Sequence, residues 1–284
     1  MAPSVRRGGF IDAAVWLYRG DDKIGSMDGP IKRVWRIAAT GSAFALFGIA
    51  GLLLAAFVFP ILRRFTGSSL ERERRAQRLI QRCFRAFMAY MQLVGLSEIR
   101  VRGGERLAES GPHLLVANHP TLLDVVVIGS LMPQLDCVVK REAWSNPFMR
   151  GVVEAAGYIP NDAGEQLVDH CVERIEQGGS LLIFPEGTRS PEGGLGTFQR
   201  GAAHTALRSR QPLLPVSIRC DPPTLMRGQK WYDVPPRRMQ FSIEVGEPIA
   251  LPSPTAGEPR GLAARRMTAE LRDFFAKRLQ YPAV

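Results

Sequence analysis

The sequence predicts an α/β fold, a central mixed sheet flanked by helices, preceded by an N-terminal membrane-anchor helix and a basic amphipathic helix. Three observations carry that prediction. From residue 99 onward, short apolar runs alternate with helical patterns; residues 37–62 hold 26 consecutive residues without a charge; and the arginine-rich stretch after them repeats its apolar residues at helical spacing.

The elements follow in chain order. Residues 1–36 are polar and glycine-containing; their one structural signal is FIDAAVWLY, a short helical pattern, and they carry no sign of function. The segment IAATGSAFALFGIAGLLLAAFVFPIL (37–62) exceeds the roughly 20 apolar residues a bilayer core requires, so it reads as a transmembrane or deeply embedded anchor. It lacks the polar face of a soluble core helix, and its apolar run is longer than the roughly 7–15 residues of a cleaved signal peptide. Lys32, Arg33 and Arg36 precede it, while Arg63, Arg64 and then Arg72, Arg74, Arg75, Arg78, Arg82 and Arg85 follow. The denser basic flank is C-terminal, which puts the downstream domain on the cytoplasmic side of the inner membrane. Because the other flank is basic too, and Gly41, Gly48, Gly51 and Pro60 permit a bend, a half-embedded anchor with both ends cytoplasmic stays open.

In residues 68–97, Leu79, Ile80, Cys83, Phe84, Phe87, Met88 and Met91 recur at helical spacing with arginines over much of the remaining surface. Such a helix fits a membrane surface, and it equally fits packing on the following domain. Residues 99–284 form that domain. Strands are predicted at IRVRG, LLVAN, DCVVK, SLLIF, LLPVSI and QFSIEVG, and helices at 121–131, 146–156, 164–177, 199–209 and 258–279. SPEGGLGTFQRG and DPPTLMRGQKWYDVPPRR read as loops, the second with Trp231 and Tyr232 as points of contact for lipid or substrate.

Composition narrows the function classes. With 45% hydrophobic and 23% charged residues the chain is neither disordered nor fibrous, and its net charge of +10 suits an anionic partner. The arginines cluster beside the anchor, so membrane lipid phosphates explain them without nucleic acid. Cys83, Cys137, Cys171 and Cys220 lie far apart, and His113, His119, His170 and His204 are scattered; neither set implies disulfides or a metal site.

The chemistry concentrates in NHPTLLD (118–124). Pro120 biases His119 away from helical dihedrals and into a strand-to-helix turn, where α/β folds bind ligands. Asp124 can cap the helix with Thr121, as Thr121-x-x-Asp124 suggests. From the same place it can hold the Nδ1–H of His119 and leave Nε2 free as a general base. A second apolar strand ends in FPEGTRS (184–190), a glycine turn with a carboxylate and an arginine, and QPLLPVSI (211–218) reads as a proline-bounded core strand.

The order and content of these segments resemble the PlsC-like glycerolipid (lysophospholipid) acyltransferases over about residues 99–250. The resemblance implies direct acyl transfer from acyl-CoA or acyl-acyl carrier protein, as co-substrate rather than cofactor, to a lipid hydroxyl. His119 would be the base and Asp124 its orienter. Glu186, Gly187, Thr188 and Arg189 would shape the acceptor site, with Arg189 the anion ligand. Lys140 would lie near the acceptor phosphate, and Pro215 would serve packing. The sequence has no G-x-S-x-G nucleophile elbow, and backbone N–H groups at the helix start are expected to meet developing negative charge.

One departure stands out. Where the family's second block ends F-I-x-R, with an arginine on the acceptor phosphate, this chain reads GYIPND and places Asn161 at that position. Losing a guanidinium fork removes a bidentate phosphate contact, for which Arg141 or Arg150 would have to substitute. Acceptors without a phosphate therefore come into view. So does a second class of function, a non-catalytic lipid-binding or scaffold protein that keeps the fold.

Overall fold

The computed structural model of the protein describes residues 29–280, apart from 66, 110, 163, 165 and 252–258. FIDAAVWLY and the rest of 1–28 lie outside the described residues. The chain runs through helix α1 (Pro30–Phe65), helix α2 (Ser69–Leu93), strand β1 (Ser97–Arg102), strand β2 (Leu114–Ala117) and helix α3 (Asp124–Leu131). Next come strand β3 (Asp136–Val139), helix α4 (Arg150–Ala156), strand β4 (Ile159–Pro160), helix α5 (Gln166–Glu176) and strand β5 (Leu181–Ile183). Helix α6 (Gly201–Ser209), strands β6 (Leu213–Asp221) and β7 (Met239–Val245) and helix α7 (Arg260–Leu279) complete it.

The strands form one sheet in the order β1-β7-β6-β2-β5-β3-β4, and every neighbouring pair is parallel except β6–β7. The fold is thus α/β with a mixed sheet, as the sequence predicts. Strands β2 and β5 are buried at every residue, because parallel central strands are covered on both faces; hence LLVA and LLI read as unbroken apolar runs. Alternate residues feed two cores. Leu115, Ala117 and Leu182 pack with α2 and α3, whereas Leu114, Val116 and Leu181 pack with α5, α6 and α7. Pro215 sits in β6 at the break between the ladder with β7, which begins at Val216, and the Leu213–Ile249 bridge, where its carbonyl still accepts from Gly246 N–H at 2.9 Å although it has no N–H to return.

Several predicted boundaries move. The helix expected at 121–131 starts at Asp124, and the one expected at 146–156 starts at Arg150, with a separate 3-10 turn, Arg141–Trp144, ahead of it. The amphipathic helix expected over 68–97 stops at Leu93, since Gly95 turns the chain with φ 77° and Ser97 already opens β1, two residues ahead of the domain start expected at 99. Helix α2 packs on the domain. Gln77 on its inner face donates to Asp136 Oδ1 and Ala156 O, and Gln81 donates to Ser130 O, so both buried amides are satisfied. Arg75, Arg78 and Arg82 line its exposed side.

Helix α1 extends the predicted 37–62 anchor at both ends. It runs antiparallel to α2: Trp35 Nε1 donates to Val94 O, Ser42 Oγ bonds the Tyr90 hydroxyl at 2.7 Å, and Phe47 meets Phe84 and Phe87. Gly48 and Gly51 allow close approach of Phe148, just ahead of α4, rather than a bend. A Cβ at Gly51 would sit 2.4 Å from Phe148 O, and one at Gly151 2.3 Å from the Ala55 side chain. The irregularity lies instead at Leu54–Val58, a π-helical turn just ahead of Pro60, whose missing N–H cannot continue the regular ladder. The opposite face of α1 leaves Leu46, Ile49, Leu53, Phe57 and Ile61 exposed, and among the described residues α1 is the one helix long and apolar enough to cross a membrane.

Candidate active site

Four parallel strands deliver the predicted site residues to one edge of the sheet. The C-terminal end of β2 leads into Asn118 and His119, that of β5 into FPEGTRS, that of β3 into Lys140, and that of β4 into Asn161. β2 and β5 are direct neighbours, with Val116 opposite Ile183, which sets His119 beside Phe184 although 65 positions separate them in the chain.

Asn118 continues β2 with its side chain. Its amide nitrogen donates to Ile218 O at 2.9 Å and its oxygen accepts from Ile218 N–H at 2.8 Å, imitating a further strand residue. The next residue, His119, has Nδ1 2.8 Å from Asp124 Oδ2 and its ring stacked on Phe184 with centroids 4.2 Å apart. The imidazole is 17% exposed while Asp124 is fully buried, so the pair presents the histidine and hides its carboxylate. Nε2 has no protein partner among the described residues.

Asp124 does not choose between capping and orienting. Oδ2 also accepts from Thr121 N–H at 2.8 Å, Oδ1 accepts from Thr121 Oγ1 at 2.7 Å, and that hydroxyl accepts from Leu123 N–H at 3.1 Å. This is the reciprocal bonding of a capping box, displaced so that Leu123 rather than Thr121 occupies the helix N-cap. The N–H groups of Thr121, Leu122 and Leu123, in the turn ahead of the helix, are donated internally, to Asp124, Leu225 O and Thr121 respectively, whereas those of Asp124, Val125 and Val126 at the helix start have no acceptor among the described residues.

The FPEGTRS turn closes through Gly187 N–H donating to Phe184 O at 3.0 Å, with Gly187 at φ 64°, a conformation that favours glycine. Glu186 is buried, and both its oxygens accept hydrogen bonds from the protein: Oε1 from His119 N–H and Ser190 Oγ, Oε2 from Gly196 N–H. That gives its carboxylate a scaffolding place beneath the site instead of an open face toward an acceptor. Arg189 Nη1 donates to Leu225 O and Met226 O at 2.8 and 2.9 Å, tying the loop that follows β6 to the turn. The N–H groups of Thr188 and Arg189 donate to no acceptor among the described residues.

Lys140 is exposed, one strand beyond β5. Asn161, a further strand away, accepts from Arg141 N–H at 3.2 Å. Of the two possible substitutes for the missing arginine, Arg141 therefore lies beside Asn161, its guanidinium exposed near Asp162, whereas Arg150 is paired with Glu154 on α4. Three strand spacings put the Asn161 backbone roughly 14 Å from that of His119.

Cys220 is the cysteine nearest this chemistry, close enough for Asp124 to raise its pKa. Burial is the larger cause, and together they push the thiol up to about 12, so it stays protonated near neutrality. Burial likewise raises Cys171, to about 12. Among the described residues no cluster of His, Cys, Asp and Glu has the geometry to hold a metal ion.

The sequence had no signal for Phe184 as a ring support, or for Ser190 and Gly196 as partners of Glu186. Asn118, a polar residue at the end of an apolar run, was visible but unassigned.

Comparison with known proteins adds to this geometry. Residues 98–219 match the family model described as Acyltransferase. A 1-acyl-sn-glycerol-3-phosphate acyltransferase of Pseudomonas aeruginosa is 28% identical over 225 residues, covering 77% of this chain and 84% of that protein. A chloroplastic 1-acyl-sn-glycerol-3-phosphate acyltransferase of Arabidopsis thaliana is 30% identical over 127 residues, 43% of this chain; the chain spans only 36% of that protein's length. The crystal structure of the 1-acyl-sn-glycerophosphate (LPA) acyltransferase PlsC from Thermotoga maritima superposes with a TM-score of 0.65 at 18% identity, over 88% of this chain and 99% of that one, and shows the same fold.

Proposed function

Starting from its membership of the PlsC-like acyltransferase family, we propose that this chain is a membrane-bound O-acyltransferase that moves a fatty acyl group from a thioester to a lyso-lipid hydroxyl. The carrying observation is the His119–Asp124 pair, 2.8 Å apart, with Nε2 unspent at the carboxyl edge of the sheet. Asp124 keeps the proton on Nδ1, so Nε2 accepts the proton of the acceptor hydroxyl. The oxygen attacks the thioester carbonyl, a tetrahedral oxyanion forms, the C–S bond breaks, and the departing thiolate takes the proton back from the imidazolium. His119 ends neutral, and no acyl-enzyme forms. The free N–H groups of Thr188 and Arg189, the remaining guanidinium donors of Arg189 and the N–H groups at the start of α3 are the donors that meet the oxyanion.

The donor is acyl-CoA or an acyl-acyl carrier protein. The acceptor reading is lysophosphatidic acid, the substrate class named for the relatives, with Lys140 and Arg141 on the phosphate where Asn161 offers no charge. Helix α1 favours the half-embedded form of membrane attachment. It lies along α2 and α4, so a perpendicular crossing would carry the exposed arginines of α2 into hydrocarbon, whereas an in-plane helix buries only its apolar outer face. Both flanks then remain on the cytoplasmic side.

The test uses membranes containing the protein, a labelled acyl thioester and a panel of lyso-lipids and amphiphilic alcohols with and without phosphate. The expected result is acylation of a phosphate-bearing acceptor, abolished by His119→Ala. Acylation of phosphate-free alcohols alone would reassign the acceptor. No transfer at all, or transfer unaffected by His119→Ala, would favour the non-catalytic lipid-binding reading.

A further inference from the structure

Resting on that reading of His119 as the base, we propose that Ser190 and Gly196 are positioning residues for it, acting through the Glu186 carboxylate. Neither touches the imidazole. Ser190 is linked to His119 directly and through Glu186: its N–H donates to His119 O at 2.7 Å, and its hydroxyl donates at 2.7 Å to Glu186 Oε1, the oxygen that accepts the His119 N–H at 3.2 Å. Both peptide groups of His119 are thereby held by the 186–190 turn. The other carboxylate oxygen, Oε2, accepts Gly196 N–H at 2.7 Å. Glu186 is 6% exposed and has no cationic partner among the described residues, so neutral donors alone fix where its carboxylate lies.

Gly196 is constrained from outside. A Cβ there would stand 2.9 Å from Glu186 Oε2, closer than real side chains approach, so a side chain at 196 must displace the carboxylate or move the loop. Gly194, two residues earlier in the same glycine-rich segment, has no neighbour within 4 Å of such a Cβ. The segment SPEGGLGTFQ thus contains one glycine coupled to the base and another facing open space. The coupling runs from Gly196 N–H through Oε2 and Oε1 to His119 N–H. Position matters because a general base works at roughly 2.6–3.2 Å from the proton it removes, and a misplacement of about 1 Å can cost about 10²-fold in rate.

The experiment compares Gly196→Ala, Ser190→Ala and Gly194→Ala in the full chain reconstituted with the acceptor found above. Gly196→Ala and Ser190→Ala are expected to lower kcat about tenfold or more with donor and acceptor KM within about twofold, while Gly194→Ala stays within about twofold of wild type. In a Glu186→Gln background, Gly196→Ala should add little, because the oxygen it disturbs is already altered. A second readout is the rate of diethyl pyrocarbonate modification at His119, resolved by mass spectrometry, which needs no acyl transfer. It should change in Gly196→Ala and Ser190→Ala and not in Gly194→Ala. A kcat and a His119 reactivity for Gly196→Ala equal to those of Gly194→Ala would overturn the proposal. So would a rise in acceptor KM at unchanged kcat, since that is the mark of a binding residue. If no acceptor is ever acylated, the acyl-transfer reading fails by itself, and the His119 modification rates still decide the coupling.

Discussion

Two clusters of carboxylates sit at opposite ends of the same sheet, and they are built differently. At the N-terminal end of β3, Asp136 Oδ1 receives Arg174 Nε and Nη2 at 3.0 and 2.6 Å and Gln77 Nε2 at 2.9 Å, while Arg174 Nη1 reaches Glu73 Oε2 at 2.6 Å. There, charge meets charge, and the cluster staples α2 to β3 and α5. At the C-terminal end, Asp124 and Glu186 meet no arginine or lysine among the described residues; their partners are N–H groups, hydroxyls and one imidazole. Each place holds two carboxylates, both buried at the C-terminal end, whereas Glu73 at the other is 21% exposed. What separates the site from the staple is an unspent basic nitrogen, His119 Nε2.

The largest effect should come from blocking or removing that nitrogen. His119→Ala is expected to lower acyl transfer by about 10²–10⁴-fold, the usual contribution of a general base, with the fold unchanged by circular dichroism. Asp124→Asn should follow closely. An amide keeps one acceptor oxygen, but its NH2 must then face donors now held by the carboxylate, so the imidazole loses its fixed tautomer. Initial rates across pH check both. A His119→Ala protein within about tenfold of wild type would make the C-terminal cluster another staple and erase the contrast.

The contrast also explains what the sequence could convey. NHPTLLD and FPEGTRS are contiguous, so the base, its orienter and the turn beside them were legible from spacing and from the family resemblance. The bond from Glu186 to His119 was not, because it depends on β2 and β5 being neighbours, which no local pattern encodes. Leu225 and Met226 hold Arg189 through backbone carbonyls, and a carbonyl leaves no trace in a residue's identity. Apolar periodicity located α2, but not its end at Leu93, which Gly95 sets. Gly48 and Gly51 read as hinges because glycine signals both freedom and close approach; only the position of Phe148 shows which applies.

Breaking the staple should act on stability and spare the chemistry. Arg174→Met leaves Asp136 buried without its cation, a change of about 3–5 kcal/mol in systems of this kind. Burial already raises the Asp136 pKa, with Arg174 opposing it, so the variant should raise it further. An acid whose folded pKa exceeds its unfolded value binds more protons when folded, so stability rises as pH falls through the window between the two. The deficit of Arg174→Met should therefore be greatest near neutrality and shrink as pH falls through the further-raised Asp136 pKa, a trend that thermal melts at several pH values would show. Glu73→Gln removes one charge but keeps an acceptor, and should cost about 1 kcal/mol. In both variants kcat measured well below the melting temperature should stay within about twofold of wild type; a selective loss of kcat would mean that the two ends of the sheet are coupled.

The smallest expected effect tests whether the C-terminal cluster holds a second reactive group. Cys220 lies near enough to Asp124 to feel its charge, and a cysteine beside a His–Asp pair invites a covalent route in which the acyl group rests on sulfur. Its surroundings argue against that. A thiol held up at about 12 is ionised near neutrality in only roughly one molecule in 10⁵, and both causes of the shift, burial first and the Asp124 charge second, oppose the thiolate. Its Sγ is turned toward Pro222 O at 3.5 Å. Cys220→Ala should therefore transfer acyl groups within about twofold of wild type, and iodoacetamide at neutral pH should leave Cys220 largely unmodified. An acyl adduct trapped on Cys220, or a loss of about 100-fold in Cys220→Ala, would require the protein and not the lipid hydroxyl to make the first attack, and His119 would then serve that sulfur.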